Sequence, residues 1–181
     1  MTMNPYAAPA ANVEELPELQ VAGTAPLFSV SPTKLAVMSV CTLGFYQFYW
    51  FYKQWAYARD ADGEDVSPAA RAIFSLFTCH KLLGRIRDKM EQLGLGTISV
   101  GGLTAGWIIF GLVFQFSDRL ALLGLLQVIF LLPAQKAANR VNDAVAPGHD
   151  RNDRFTAWNW VGIVLGALVL VMALLGTLLR A

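Results

Sequence analysis

Charge is missing from four stretches of this chain, and all four are apolar. Residues 35–52, 98–116, 120–132 and 157–179 contain no Asp, Glu, Lys, Arg or His. A helix needs about 20 predominantly apolar residues to cross about 30 Å of hydrocarbon. The apolar residues make up 55% of the chain, and their segregation into blocks argues against a soluble domain. We therefore expect an all-α polytopic membrane protein with four transmembrane helices.

Cysteine is also scarce, because Cys41 and Cys79 are the only two. They form no CxxC pair and no disulfide framework. His80 follows Cys79, but neighbouring side chains on a helix point about 100° apart, so the pair does not suit a metal or a nucleophile. No other nucleophile–base pair or metal-ligand set is visible, and no basic stripe carries interleaved aromatics. The sequence predicts a protein that is not an enzyme, has no cofactor and binds no nucleic acid.

Acids, histidines and lysines, which proton and ion coupling require, are absent from the apolar stretches. The polar side chains there include three glutamines: Gln47, Gln115 and Gln127. An interhelical hydrogen bond in a membrane contributes about 0.6–2 kcal/mol. We expect these glutamines to make polar contacts between helices, and a permeation path lined by them is the alternative. Two GxxxG patterns, at 102–106 and 162–166, predict close helix contacts within the chain.

The positive charge is unevenly distributed. Of 14 Lys and Arg, 7 lie in residues 53–96 and 4 in residues 136–156. Because basic loops remain in the cytoplasm, this pattern predicts an inner-membrane protein whose N- and C-termini both lie outside. The 13 residues of 120–132 rise only about 20 Å as an α-helix, so a re-entrant hairpin over 98–132 is the alternative to two full crossings.

The first 32 residues hold five of the eight prolines and little periodicity. Such a composition does not bury enough apolar surface to offset the entropy of ordering. We expect residues 1–32 to be a disordered tail and residues 33–181 to form the transmembrane domain.

Aromatic residues are concentrated where the first apolar stretch ends, with nine in residues 45–57. Tyr and Trp favour the headgroup level of a bilayer. Residues 68–93 follow as a predicted amphipathic helix with a basic side, lying in the cytoplasmic interface. The residues predicted to lie at the lipid interface are Trp50, Tyr52, Lys53, Trp55, Lys81, Arg85 and Lys89.

A polar face follows the third apolar stretch. Gln135, Asn139 and Asn142 lie at i, i+4 and i+7, on one side of a predicted helix, and Arg140 adjoins them. We expect this face to meet residues 50–59 and to form a site for a partner or a lipid headgroup. A solvated helix end is the alternative.

Residues 42–50 read TLGFYQFYW. This run resembles the T-x-G-x-Y-x-x-Y-W signature of the bacterial inner-membrane proteins grouped as domain of unknown function 4234. The resemblance implies a multi-pass membrane protein without an established activity, and it supplies no catalytic residues.

Three functions are compatible with this sequence. The first is a non-enzymatic accessory or assembly component that binds a membrane-protein partner or a second copy of the chain. The second is a small oligomeric channel or carrier. The third is a lipid-associated membrane-stress protein that acts through the basic helix 68–93.

Overall fold

The computed structural model describes residues 24–63, 65–113 and 118–178, and the regular secondary structure of these residues is helical. The all-α class is therefore confirmed. The elements are α1 (Pro32–Cys41), α2 (Phe45–Asp62), α3 (Pro68–Ile73), α4 (Ser75–Gln92), α5 (Val100–Leu112), a 3₁₀ helix (Asp118–Phe130), α6 (Leu132–Val145) and α7 (Ala157–Leu178).

The predicted helix over residues 35–52 is interrupted by a turn that reverses the chain. Leu43 and Gly44 adopt φ angles of 54° and 90°, which lie in the left-handed region and cannot continue a right-handed helix. The Thr42 hydroxyl donates to the Met38 carbonyl at 2.6 Å and accepts the Tyr46 N–H at 2.9 Å. As a result α1 and α2 form a hairpin rather than one crossing.

A second hairpin joins α5 to the 3₁₀ helix. A Cβ atom on Gly106 would overlap the Phe130 ring, and one on Gly111 would overlap the Gln127 amide oxygen. The absence of a side chain therefore allows the two helices to pack closely in opposite directions. Gly106 belongs to the first GxxxG pattern, and its close contact lies within the chain as predicted.

Among the residues that the structure describes, α7 is the one helix that is long and apolar enough to cross a membrane. Its stretch Ala157–Gly176 has a mean hydropathy of 2.2, and none of the window is buried inside the protein. The contact of α7 with α1 is made through Gly166, where a Cβ atom would overlap the Cys41 carbonyl oxygen. The second GxxxG pattern therefore also serves a contact within the chain.

Helices α1 and α7 run in the same direction from a common side. The Lys34 ammonium, at the start of α1, donates to the Asn152 side-chain oxygen at 2.8 Å and to the Arg154 carbonyl at 2.6 Å, just before α7. The predicted topology, with the N-terminus outside and the basic residues 136–156 inside, places Lys34 outside and Arg154 inside. The structure contradicts that arrangement, because two residues in hydrogen-bond contact cannot lie on opposite sides of a bilayer.

The predicted amphipathic helix 68–93 is observed as two helices that meet at Phe74. Its apolar face packs into the protein core rather than facing lipid, with these side chains buried: Cys79, Leu82, Leu83, Ile86 and Met90. Ile73, Phe74 and Phe77, at the junction of α3 and α4, are exposed instead. The periodicity correctly identified a buried face, but the burial is provided by the protein itself.

The last residues of the predicted tail also lie in the core. Leu27, Phe28 and Val30 are buried, although residues 1–32 were expected to be disordered. This segment makes hydrogen bonds to side chains of α2 and α6. The predicted tail is therefore corrected for residues 24–31, and residues 1–23 lie outside the described part of the chain.

Candidate functional site

Side-chain amides hold the backbone of residues 27–30. The Asn142 side chain accepts the Leu27 N–H at 3.1 Å and donates to the Leu27 carbonyl at 2.7 Å. Gln54 makes the same pair of bonds with Phe28, at 3.2 and 3.1 Å. Each amide thus satisfies both backbone groups of one residue, as a neighbouring β-strand would.

Gln135 connects these amides into a network. It donates to the Asn139 side-chain oxygen at 2.7 Å and accepts the Trp50 indole N–H at 2.5 Å. Asn139 in turn donates to the Val30 carbonyl at 3.0 Å. Gln135, Gln54 and Asn142 are fully buried, so these hydrogen bonds form away from water, where an unpaired polar group would be costly.

The structure brings Gln135, Asn139 and Asn142 together with the Trp50–Gln54 part of α2, next to the chain's own residues 27–30. Arg140 is exposed and does not join this cluster. Gln54 is the residue that the sequence reasoning missed. Gln54 follows Gln47 by seven residues, which places both on the same side of one helix. This spacing could have identified Gln54, but the residues around it were interpreted only as interfacial aromatics.

The predicted interfacial aromatics differ in their environments. Trp50 and Trp55 are fully buried and do not lie at a headgroup level. The Arg71 guanidinium covers the Trp55 ring at 4.2 Å. Tyr52 is exposed, and the Lys53 ammonium lies 5.7 Å from the Phe28 ring. The interface prediction is therefore corrected for the two tryptophans, because the core provides the apolar surroundings that a bilayer was expected to provide.

The basic side of α4 is largely paired within the protein. Asp62, at the end of α2, bridges Arg85 and Lys89, and its oxygen lies 3.1 Å from the Lys89 ammonium. Burial lowers the pKa of Lys89, and the charge of Arg85 lowers it further. Lys81 is exposed. Because Arg85 and Lys89 hold α4 against α2, they are poorly placed for the lipid contact predicted for helix 68–93.

A second candidate site is a cavity of about 330 Å³ between α2, α5 and the 3₁₀ helix. Gln47, Ser75 and Gln127 line it, and its other lining residues are apolar. The Gln47 side-chain oxygen accepts the Trp107 indole N–H at 2.7 Å, which joins α2 to α5. Gln115, the third glutamine predicted to make such contacts, lies outside the described residues.

Metal-binding residues are not clustered in the described part of the chain. No group of three or more His, Cys, Asp or Glu side chains is suitably placed there. Cys79 and His80 lie on α4, where Cys79 is buried and His80 exposed. Burial raises the pKa of the Cys79 thiol to about 12, which opposes formation of a thiolate.

The fold defines a class: an all-helical protein whose apolar helix α7 is largely exposed. Residues 30–122 match the family model described as domain of unknown function DUF4234. The match covers more than half of the chain, and the chain therefore belongs to this family. The matched region includes the α1–α2 hairpin and α5, and it ends before α6 and α7. A search of curated proteins and a search of solved structures gave no match.

Proposed function

We propose that this protein is an integral protein of a bacterial inner membrane that acts without catalysis, as an accessory or assembly component. The observation that carries the proposal is α7, whose 22 residues extend about 33 Å. Its apolar side chains are exposed on every side that does not contact α1. Exposed apolar surface of this extent is stable in lipid or against another membrane protein.

The topology that we propose has the N-terminus inside and the C-terminus outside. The α1–α2 hairpin enters from the cytoplasmic side, and since α1 has 10 residues it reaches about 15 Å, half of the hydrocarbon layer. The second hairpin crosses and returns: the uncharged residues 98–116 supply one pass, and the 13-residue 3₁₀ helix, which extends about 26 Å, supplies the other. Helix α7 then crosses once.

Two observations support this topology. The proposed topology places 12 of the 14 Lys and Arg on the cytoplasmic side. This agrees better with the positive-inside tendency than the predicted arrangement, in which both termini lie outside. The turn between α1 and α2 is also suited to a membrane interior, because the N–H groups of Leu43, Gly44 and Phe45 all donate to backbone carbonyls. Irregular backbone is tolerated at membrane depth only when its polar groups are satisfied.

Reporter fusions test the proposed topology in intact cells. We expect fusions at the N-terminus, at Gly63 and at Gly148 to report the cytoplasm and a C-terminal fusion to report the periplasm. A periplasmic signal at the N-terminus, or equal signals at Gly148 and the C-terminus, would contradict the proposed topology.

The accessory role requires a partner on α7. Two exposed faces of this helix are available beside the one that contacts α1: Leu165, Leu168 and Met172 on one, Val164, Val171 and Leu175 on the other. Affinity purification from detergent should recover one membrane protein, or a second copy of the chain, in stoichiometric amount. Alanine substitution of one face should abolish recovery, and substitution of the other should not. Recovery that neither substitution reduces would refute a partner site on α7.

A further inference from the structure

The cavity beside Gln47 has the properties of a ligand site. Its volume of about 330 Å³ lies at the lower end of the usual range of about 300–1,000 Å³ for ligand pockets. No Lys, Arg, Asp, Glu or His is among its lining residues. Burying a charged group without a partner is strongly unfavourable, so the cavity suits a neutral, mostly apolar molecule.

One buried donor in this cavity lacks an acceptor. The Gln47 side chain is 2% exposed, and its Nε2 has no hydrogen-bond partner among the described residues. The orientation of this amide is determined by Trp107, whose indole N–H can only donate and therefore requires the amide oxygen opposite it. The Nε2 donor lies near Gly44, which also lines the cavity. A ligand that pairs with this donor must carry an acceptor oxygen.

The mouth of the cavity is apolar and exposed. Phe45 and Ile73, both among its lining residues, are 73% and 70% exposed, and Phe48 and Leu76 beside them are also exposed. These side chains lie at the turn of the α1–α2 hairpin and at the α3–α4 junction. In the proposed topology the turn of the hairpin lies within the hydrocarbon layer, and a ligand therefore enters from the bilayer.

We propose that this cavity binds the acyl-ester region of a membrane glycerolipid. The ester carbonyl accepts a hydrogen bond from Gln47 Nε2, and the acyl chain lies along Phe48 and Leu112. A free fatty acid fits less well, because its carboxylate would be buried without a positive partner. The inference adds a ligand to the proposed function. It rests on the proposed membrane location for the class of ligand and on the proposed position of the hairpin for the route of entry.

A matched pair of lipids tests the carbonyl contact directly. The full chain, purified in detergent, is mixed with a dioleoyl phosphatidylglycerol or with the corresponding diether lipid, which lacks both ester carbonyls. Native mass spectrometry then counts the retained lipid. We expect one bound diester molecule and about tenfold weaker retention of the diether, the effect of one buried hydrogen bond.

Three variants make the test specific. Gln47→Leu should bind the two lipids equally. Leu112→Phe fills the cavity without touching the Gln47–Trp107 bond, and it should weaken both lipids. Gln92→Leu, on the exposed end of α4, should behave as the wild type.

The proposal is overturned if the wild type does not distinguish the diester from the diether, or if Gln47→Leu still does. Displacement of the diester by an equal amount of a short-chain quinone would also overturn it, because the carbonyl would then belong to another class of lipid. None of these outcomes affects the topology, which the reporter fusions test in intact cells.

Discussion

At the scale of single residues, the notable feature is that amide side chains replace a strand partner. Asn142 and Gln54 each pair with both backbone groups of one residue in the segment 27–30. Buried backbone groups must be paired. Residues 27–30 are not part of a helix in the described chain, and side chains of the adjacent α2 and α6 supply the pairing. These amides therefore help to hold residues 27–30 in the core.

Removing one of these amides should loosen the segment. Asn142→Leu leaves the Leu27 backbone groups and the Ser29 hydroxyl without this partner, and each buried group left unpaired costs about 1–3 kcal/mol. We expect a clear drop in the thermal unfolding midpoint in detergent, together with faster proteolysis near residue 28. Gln92→Leu, on an exposed surface, is the control and should change neither measurement. An unchanged unfolding midpoint for Asn142→Leu would contradict this prediction, because it would show that water replaces the amide without loss of stability.

Gly44 permits another specific prediction, because its φ of 90° is unfavourable for any residue with a side chain. Gly44→Ala should destabilise the protein by about 1–2 kcal/mol, the cost of a left-handed conformation. Gly84 is the matched control, since it lies inside α4 and an added Cβ would have no atom within 4 Å. Gly84→Ala should stabilise the protein by about 1 kcal/mol through helix propensity. Chemical unfolding in detergent measures both, and shifts of the same sign would contradict this account of the turn.

At the scale of helices, the chain places glycine where two elements approach most closely. Gly106 and Gly111 allow the 3₁₀ helix to pack closely against α5, and Gly166 allows the end of α1 to pack closely against α7. Small residues allow two helix backbones to approach closely, and an added side chain would prevent that approach. Each of these contacts therefore depends on the absence of a side chain.

The α1–α7 contact should be sensitive to any side chain at Gly166. Gly166→Leu would bring a side chain against the Cys41 backbone, and we expect a much reduced yield of monodisperse protein in gel filtration. Gly176, near the other end of α7, has no atom within 4 Å of an added Cβ. Gly176→Leu should therefore express and elute as the wild type does. Equal yields of the two variants would mean that α7 packs elsewhere.

At the scale of the whole molecule, one lysine joins the beginning of the fold to its last helix. Lys34 binds Asn152 and Arg154, and Asn152 also donates to the Ser29 carbonyl at 3.2 Å. The N-terminal segment, α1 and the loop before α7 thus meet at one point. This contact is what places the start of α1 and the start of α7 on the same side.

Removing the ammonium should separate these parts. Lys34→Met keeps the apolar stem but loses both hydrogen bonds, and bonds to charged groups contribute about 1.5–3 kcal/mol each. We expect a lower unfolding midpoint and faster proteolysis in the loop 146–156. Lys136→Met, at an exposed position on α6, should leave both unchanged. If the loop 146–156 of Lys34→Met were cleaved no faster than that of the wild type, the role given to this lysine would be contradicted.

The sequence by itself determined the properties that depend on neighbours along the chain. The helical class, the apolar α7 and the buried face of α4 all follow from local hydropathy and from spacing at the helical period. The common face of Gln135, Asn139 and Asn142 follows from the same spacing. The family resemblance also lay in one short run, residues 42–50, and the match over residues 30–122 confirms the family.

Only the tertiary structure decided which way the helices run and what covers each face. The reversal after α1 depends on two backbone angles, at Leu43 and Gly44, and an apolar run looks alike whether it crosses or turns back. Trp50 and Trp55 are buried because α2 lies among other helices, and the polar face of α6 is covered by residues 27–30, more than 100 positions earlier in the chain. Hydropathy measures the preference of a side chain for an apolar environment, but lipid and protein core satisfy that preference equally, and only long-range packing distinguishes them.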